Sequence, residues 1–136
     1  MDWVFLAGRI LFALFFVLSG VAHWTKRTMM VPYAKQAGVP FAALLVPLTG
    51  VMILAGGIGV AFGIWGDLAA ALLVAFLVPT AFLMHRFWGV DAQTALMQQP
   101  HFMKNMSLAG AALVLFFVFG ELDEDAPFTI TDALFF

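Results

Sequence analysis

The chain has 136 residues, of which 64% are hydrophobic and 10% charged, and its mean hydropathy is +1.04. Soluble domains are about one quarter charged, so a water-soluble globule is excluded and lipid is the expected solvent. A net charge of −2 without a basic cluster excludes nucleic acid as a partner, and the lack of cysteine excludes disulfides, thiolate metal sites and thiol relays within the chain.

The opening, MDWVFLAGRILFALFF, starts with an acid where a signal peptide has a basic region, and its apolar run is long enough to span. It belongs to the first of four apolar segments, at about 3–22, 41–63, 68–84 and 106–120. Backbone polar groups must be paired internally in lipid, so all four are predicted to be helices. Pro47 and Pro79 lie inside them and are expected to kink them. Small residues mark packing faces: Gly20 in the first segment, Gly57 in the second with the GxxxG pair Gly59 and Gly63, and Ala71 and Ala75 in the third. The four-residue connector IWGD makes the second and third helices antiparallel neighbours. The predicted fold class is an all-α membrane protein, an antiparallel four-helix bundle over 1–120, followed by an acidic, aromatic tail over 121–136.

Basic residues predict the orientation. Lys26, Arg27 and Lys35 follow the first helix, and Arg86 and Lys104 flank the connector after the third, so all five share one end. The positive-inside rule makes that end cytoplasmic and puts both termini outside. Asp2, Asp67, Glu121, Asp123, Glu124, Asp125 and Asp132 gather at the opposite end.

Within the spans, Arg9 is the clear charge. Two roles are open to it: snorkelling or pairing with Asp67 or Glu121, and holding a ligand or quinone head group. His23 and His85 end helices at the same edge and are expected to face each other across the bundle mouth. Each reads as an interfacial histidine or as a proton-relay or quinone-bonding group. Haem or chlorin ligation by His23 or His85 is the weaker alternative, because no two histidines sit at i and i+4 and none has a carboxylate at ligand spacing, so no metal site is expected. Trp24, Trp88 and Tyr33 suit an aromatic belt, as do Trp3 and Trp65 at the other end.

The stretch 91–99, DAQTALMQQ, is expected to form a short interfacial helix with Asp91 as N-cap and Pro100 as its end. Lys104 and Asn105 would then start the fourth helix, Asn105 as its cap. A cation at a helix N-terminus opposes the dipole, so Lys104 calls for a partner: a lipid phosphate, an anionic substrate or a quinone carbonyl. His85, Arg86, Lys104 and Asn105 are expected to converge on one polar pocket. The tail, ELDEDAPFTITDALFF, suits docking on a partner subunit or folding back on the membrane face, and disorder is equally open.

The ordered set GRILFALFFVLSGVAHW, PYAKQAGVPFAALLVPLTGVMILAGGIGVAFG, HRFW and FMKNMSLAGAALVL resembles the DoxX family of small bacterial four-helix membrane proteins over about residues 5–118. The resemblance implies a bacterial inner membrane and carries over Arg9, Gly20, Gly57, His85, Trp88, Lys104 and Asn105 as family-like positions. Some relatives are subunits of thiosulfate:quinone oxidoreductase, and others are tied to thiol or oxidative-stress systems. Relatives often carry an acid in the second helix where this chain has Met52, and the tail looks like an addition. The expected function is an accessory or quinone- or lipid-binding subunit of a membrane redox or energy-converting complex, with other subunits met through the tail and small-residue faces. A subunit of a thiosulfate:quinone oxidoreductase-type enzyme is the alternative, and a small-molecule transporter the second. The chain alone presents no catalytic constellation, so redox activity would require a partner.

Overall fold

The computed structural model describes residues 1–136. Five helices follow in order: α1 (Asp2–Thr25), α2 (Arg27–Gln36), α3 (Ala42–Phe62), α4 (Gly66–Met84) and α5 (Ala92–Leu122), with a 3₁₀ turn at Asp123–Asp125. α1, α3, α4 and α5 are long and apolar enough to cross a membrane. α1 packs along α3, α3 along α4 and α4 along α5. Phe16, Ile53, Val60, Ala70, Leu73, Leu77 and Ala112 are buried where these helices meet. Leu11, Leu14, Leu18, Leu44, Leu48, Val51, Leu113, Val114 and Phe117 point outward and are exposed. Apolar faces on both sides of each helix are what a bundle in lipid requires, and the architecture is the expected four-span membrane bundle.

Close helix approach rests on glycine. A Cβ on Gly20 would lie 2.8 Å from the Gly50 carbonyl oxygen, so α1 and α3 touch nearly backbone to backbone there. Gly57 faces Ala13 and Phe16 of α1, and Gly59 faces Ala69 of α4. These positions therefore pack the chain's own helices together. The α4 face in that contact carries Ala69 and Leu73, not the expected Ala71 and Ala75. Gly63 ends α3 with φ +61° and lies under Thr129 of the tail.

Two segments differ from expectation. α2 was not foreseen in the 23–40 connector; it lies across the basic end of the bundle, with Ala34 packed against Ala42 and Val46. The fourth span is not a helix over 106–120 preceded by a separate one over 91–99. α5 is continuous for 31 residues through Pro100. Proline removes the amide donor for the carbonyl four residues back, here that of Leu96, on a turn where Leu96 is exposed and water can serve. Asp91 is the N-cap, accepting from the Thr94 amide at 3.0 Å. At about 1.5 Å per residue α5 is about 46 Å long, so it projects beyond a hydrocarbon core of about 30 Å.

The tail folds back over the opposite end, and Arg9 holds it. Its guanidinium is fully buried and donates to four carbonyls: Val60 (3.0 Å), Ala61 (2.8 Å), Pro127 (2.7 Å) and Phe128 (2.8 Å). A helix leaves its last four carbonyls without intrahelical partners. In α3 these are all taken: Gly59 accepts from the Gly63 and Ile64 amides, Val60 and Ala61 from Arg9, and Phe62 from the Ile130 amide. Asp67, also fully buried, sits in the first turn of α4, where the dipole favours an anion. It accepts from the Leu134 amide (2.8 Å to Oδ2) and the Phe135 amide (2.6 Å). Arg9 thus neither snorkels nor pairs with Asp67 or Glu121; each buried charge is neutralised by backbone dipoles of the tail and α3.

Candidate functional site

The basic half of the bundle encloses a cavity of about 370 Å³. α1 contributes Phe15, Ser19 and His23, spaced four apart and so on one helix face. α3 adds Thr49 and Met52, α4 adds Ala75, Phe76, Pro79 and Thr80, and α5 adds Lys104 and Asn105. α2 closes the mouth with Met30, Tyr33 and Ala34, beside His85 at the end of α4. No aspartate or glutamate lines it, and Lys104 is its one lysine or arginine.

The polar groups of this wall are unevenly satisfied. The His23 Nδ1–H donates to the Val46 carbonyl at 3.0 Å, and the ring stands edge-on to Phe76. The Thr49 hydroxyl donates to the Leu45 carbonyl at 2.7 Å and lies 3.3 Å from His23 Nδ1. With Nδ1 as donor, His23 Nε2 is an acceptor, and it has no partner in the chain. Asn105 is only 4% exposed, and its side-chain amide makes no hydrogen bond. No fully enclosed side-chain nitrogen or oxygen lacks a partner, so the free polar atoms of His23 and Asn105 open onto the cavity they line. Pro79 has no N–H, which leaves the Ala75 carbonyl without its helical donor on the same wall.

At the mouth, His85 Nδ1–H donates to Gln98 Oε1 at 3.0 Å, and Gln98 Nε2 donates to the Tyr33 hydroxyl at 3.2 Å. This chain ties α4, α5 and α2 together. His85 also stacks on His101, with ring centroids 5.2 Å apart. Burial lowers the His85 pKa below the ordinary histidine value; the Gln98 bond opposes the shift, and His101 and Lys104 add to it. The Lys104 ammonium sits 4.9 Å from the centre of the Phe15 ring, spanning the seam between α5 and α1.

His23, His85, Lys104 and Asn105 thus meet at one cavity. Arg86 and Trp88 do not: Arg86 is exposed outside it, and Trp88 belongs to an aromatic cluster with Phe82, Phe87 and Phe102. Arg9 lies at the opposite end. Asn105 is not a helix cap and Lys104 is not at a helix N-terminus, because α5 begins at Ala92. The dipole gives Lys104 no need of a partner; its side chain is exposed, with the ammonium over Phe15 at the edge of the cavity. Ser19, Thr49, Tyr33 and Thr80 were not singled out for this wall from the sequence, although the Phe15–Ser19–His23 spacing carried a signal.

A sequence model of the DoxX family matches residues 4–86. The chain is a multi-pass membrane protein and belongs to the DoxX family. It is similar to the inner membrane protein YphA of Escherichia coli (strain K12), with 27% identity over 110 residues covering 81% of this chain and 79% of the relative. No solved structure matches the chain. Lys104 and Asn105 lie beyond the residues that the family model covers.

Proposed function

We propose that this chain is a ligand-holding accessory subunit of a redox or energy-converting complex in the bacterial inner membrane, with the cavity as the seat of a quinone or lipid head group. The inner membrane placement follows the name of the Escherichia coli relative. One observation carries the reading: an acceptor on His23, the Asn105 amide and the Lys104 ammonium share one cavity within an apolar bundle, unpaired with carboxylates. These polar atoms have no partner in the chain and are not sealed off from the cavity, which supports an occupant with polar atoms of its own. The surrounding Phe15, Met52, Phe76 and Leu83 suit an apolar chain or ring. Lys26, Arg27, Lys35, Arg86 and Lys104 at the cavity end support a cytoplasmic opening with both termini outside. Reporter fusions at Phe136 and within 91–99 test the orientation; a cytoplasmic C-terminal reporter reverses it.

The ligand test is purification in mild detergent followed by mass spectrometry of co-eluting small molecules and proteins. The wild type should carry a quinone or lipid that Ala75→Leu, which narrows the cavity, and Asn105→Leu both reduce severalfold. Equal ligand in all three proteins places the molecule on the outer surface and removes the proposal. Co-elution of a redox subunit supports the accessory role, and its absence from crosslinked membranes counts against it.

A further inference from the structure

The charge inventory of the cavity selects among its possible occupants. Lys104 supplies a positive charge, and none of the lining residues supplies a negative one. The basic end as a whole carries Lys26, Arg27, Lys35, Arg86 and Lys104 against one acid, Asp91, whose carboxylate is already engaged by the Thr94 amide (3.0 Å) and hydroxyl (2.6 Å). The Lys104 ammonium is held over the face of Phe15, a weak partner beside a carboxylate or phosphate. Next to it, the Asn105 amide offers unused donors. The wall deeper in is formed by Phe15, Met52 and Phe76.

The seam between α1 and α5 bounds the cavity on one side. α1 packs along α3 and α5 along α4, but α1 and α5 meet chiefly through side chains. Phe5 touches Phe119 near the tail (ring centroids 5.8 Å), and Lys104 crosses to Phe15 near the basic end. Phe15, Ser19, Lys104 and Asn105 form the cavity wall on both sides of that seam. On that side the cavity is thus bounded by side chains, with Lys104 over Phe15 spanning the seam.

We infer that the cavity takes an anionic amphiphile, a carboxylate or phosphate head on an apolar chain, which enters from the bilayer between α1 and α5 and pairs its head with Lys104 and Asn105. This rests on the reading of the cavity as a ligand seat and narrows it to a charge class. The two sources of such a head are a free long-chain acid and a membrane phospholipid.

The test is native mass spectrometry of the full chain in neutral maltoside micelles, with competing pairs of hexadecanoate, hexadecanol and palmitoyl lysophosphatidylglycerol. Wild-type protein should retain hexadecanoate over hexadecanol by roughly tenfold, as one charge-assisted pair implies. Lys104→Met should bring that ratio near one, Lys104→Arg should restore it, and Lys26→Met should leave it unchanged. Preference for the lysophospholipid over hexadecanoate, or the reverse, identifies the source, and either order supports the assignment. Equal retention of hexadecanoate and hexadecanol, with Ala75→Leu abolishing both, overturns the anionic class while keeping the cavity. Retention of both that ignores Ala75→Leu overturns the cavity reading and this inference with it. An anionic preference that survives Lys104→Met also overturns the assignment.

Discussion

At the tail end of the bundle, Arg9 directs four of its five guanidinium N–H groups at carbonyls and Asp67 accepts from two tail amides, so every nitrogen and oxygen of two fully buried charges has a partner. At the basic end, Asn105 is nearly as deeply buried and bonds to nothing, and the Lys104 ammonium faces a ring. Both ends place polar side chains inside an apolar bundle, where an unpaired group is costly. At the first end polarity serves the fold, since it fastens the tail onto the ends of α3 and α4. At the second, His23 and the His85–Gln98–Tyr33 chain still bond within the fold, but Asn105 and Lys104 do not and are available to something else. An intramembrane charge is therefore not by itself a sign of a site; its partner list decides.

Substitutions should separate the two ends sharply. Arg9→Leu has the largest expected effect. It leaves four carbonyls without donors, and at about 1 kcal/mol or more for each the loss is on the order of 4 kcal/mol. Thermal unfolding in detergent should show a strongly lowered midpoint, together with protease sensitivity in 126–136; an unchanged midpoint would mean that the tail is not clamped. Asp67→Asn should cost less, about 1–2 kcal/mol, because one oxygen still accepts. Its signature is faster hydrogen exchange at the Leu134 and Phe135 amides, and unaltered exchange there would refute the contact.

Asn105→Leu sharpens the contrast from the other side. It removes an unpartnered amide, so stability should stay within about 0.5 kcal/mol of wild type or rise, while bound ligand falls. A loss comparable to that of Arg9→Leu would make Asn105 structural and dissolve the difference between the two ends. The smallest effect concerns pH. The His85 pKa is lowered on folding, so between that lowered value and the ordinary value of about 6.5 the unfolded chain binds more protons. Stability is complete above about 6.5 and declines as pH falls through this window. His85→Gln should flatten the slope there, and an NMR titration should place the His85 midpoint below the ordinary value.

The same contrast governs what was legible beforehand. Four spans follow from apolar length alone, because lipid leaves the backbone no other option. The start of α5 was hidden by DAQTALMQQPHFMKN, which is polar because it projects past the lipid, and Pro100 reads as a stop until the exposure of Leu96 is known. α2, with Pro32 inside ten residues, is a helix set by tertiary packing more than by its own pattern. Of the expected convergence of His85, Arg86, Lys104 and Asn105, all but Arg86 line the cavity, and the expectation was open to sequence reasoning because membrane depth aligns side chains that are far apart in sequence. The partners of Arg9 were not: carbonyls of Val60, Ala61, Pro127 and Phe128 belong to the backbone, which carries no side-chain signature. Apolar residues and two acids elsewhere in the chain could be weighed as neighbours, but an irregular tail returning to cap a helix could not.

The clamp also has a consequence in time. Arg9 enters the bilayer with the first helix, yet the carbonyls of Pro127 and Phe128 that complete its coordination lie 118 and 119 residues later. At about 5–20 residues per second of synthesis, the guanidinium waits roughly 6–24 s for them. Through that interval Arg9 is incompletely paired, because two of the four carbonyls it reaches in the folded chain have not yet been made. Synthesis of the stretch around Pro127 and Phe128 therefore completes the partner set of an arginine made 118 residues earlier.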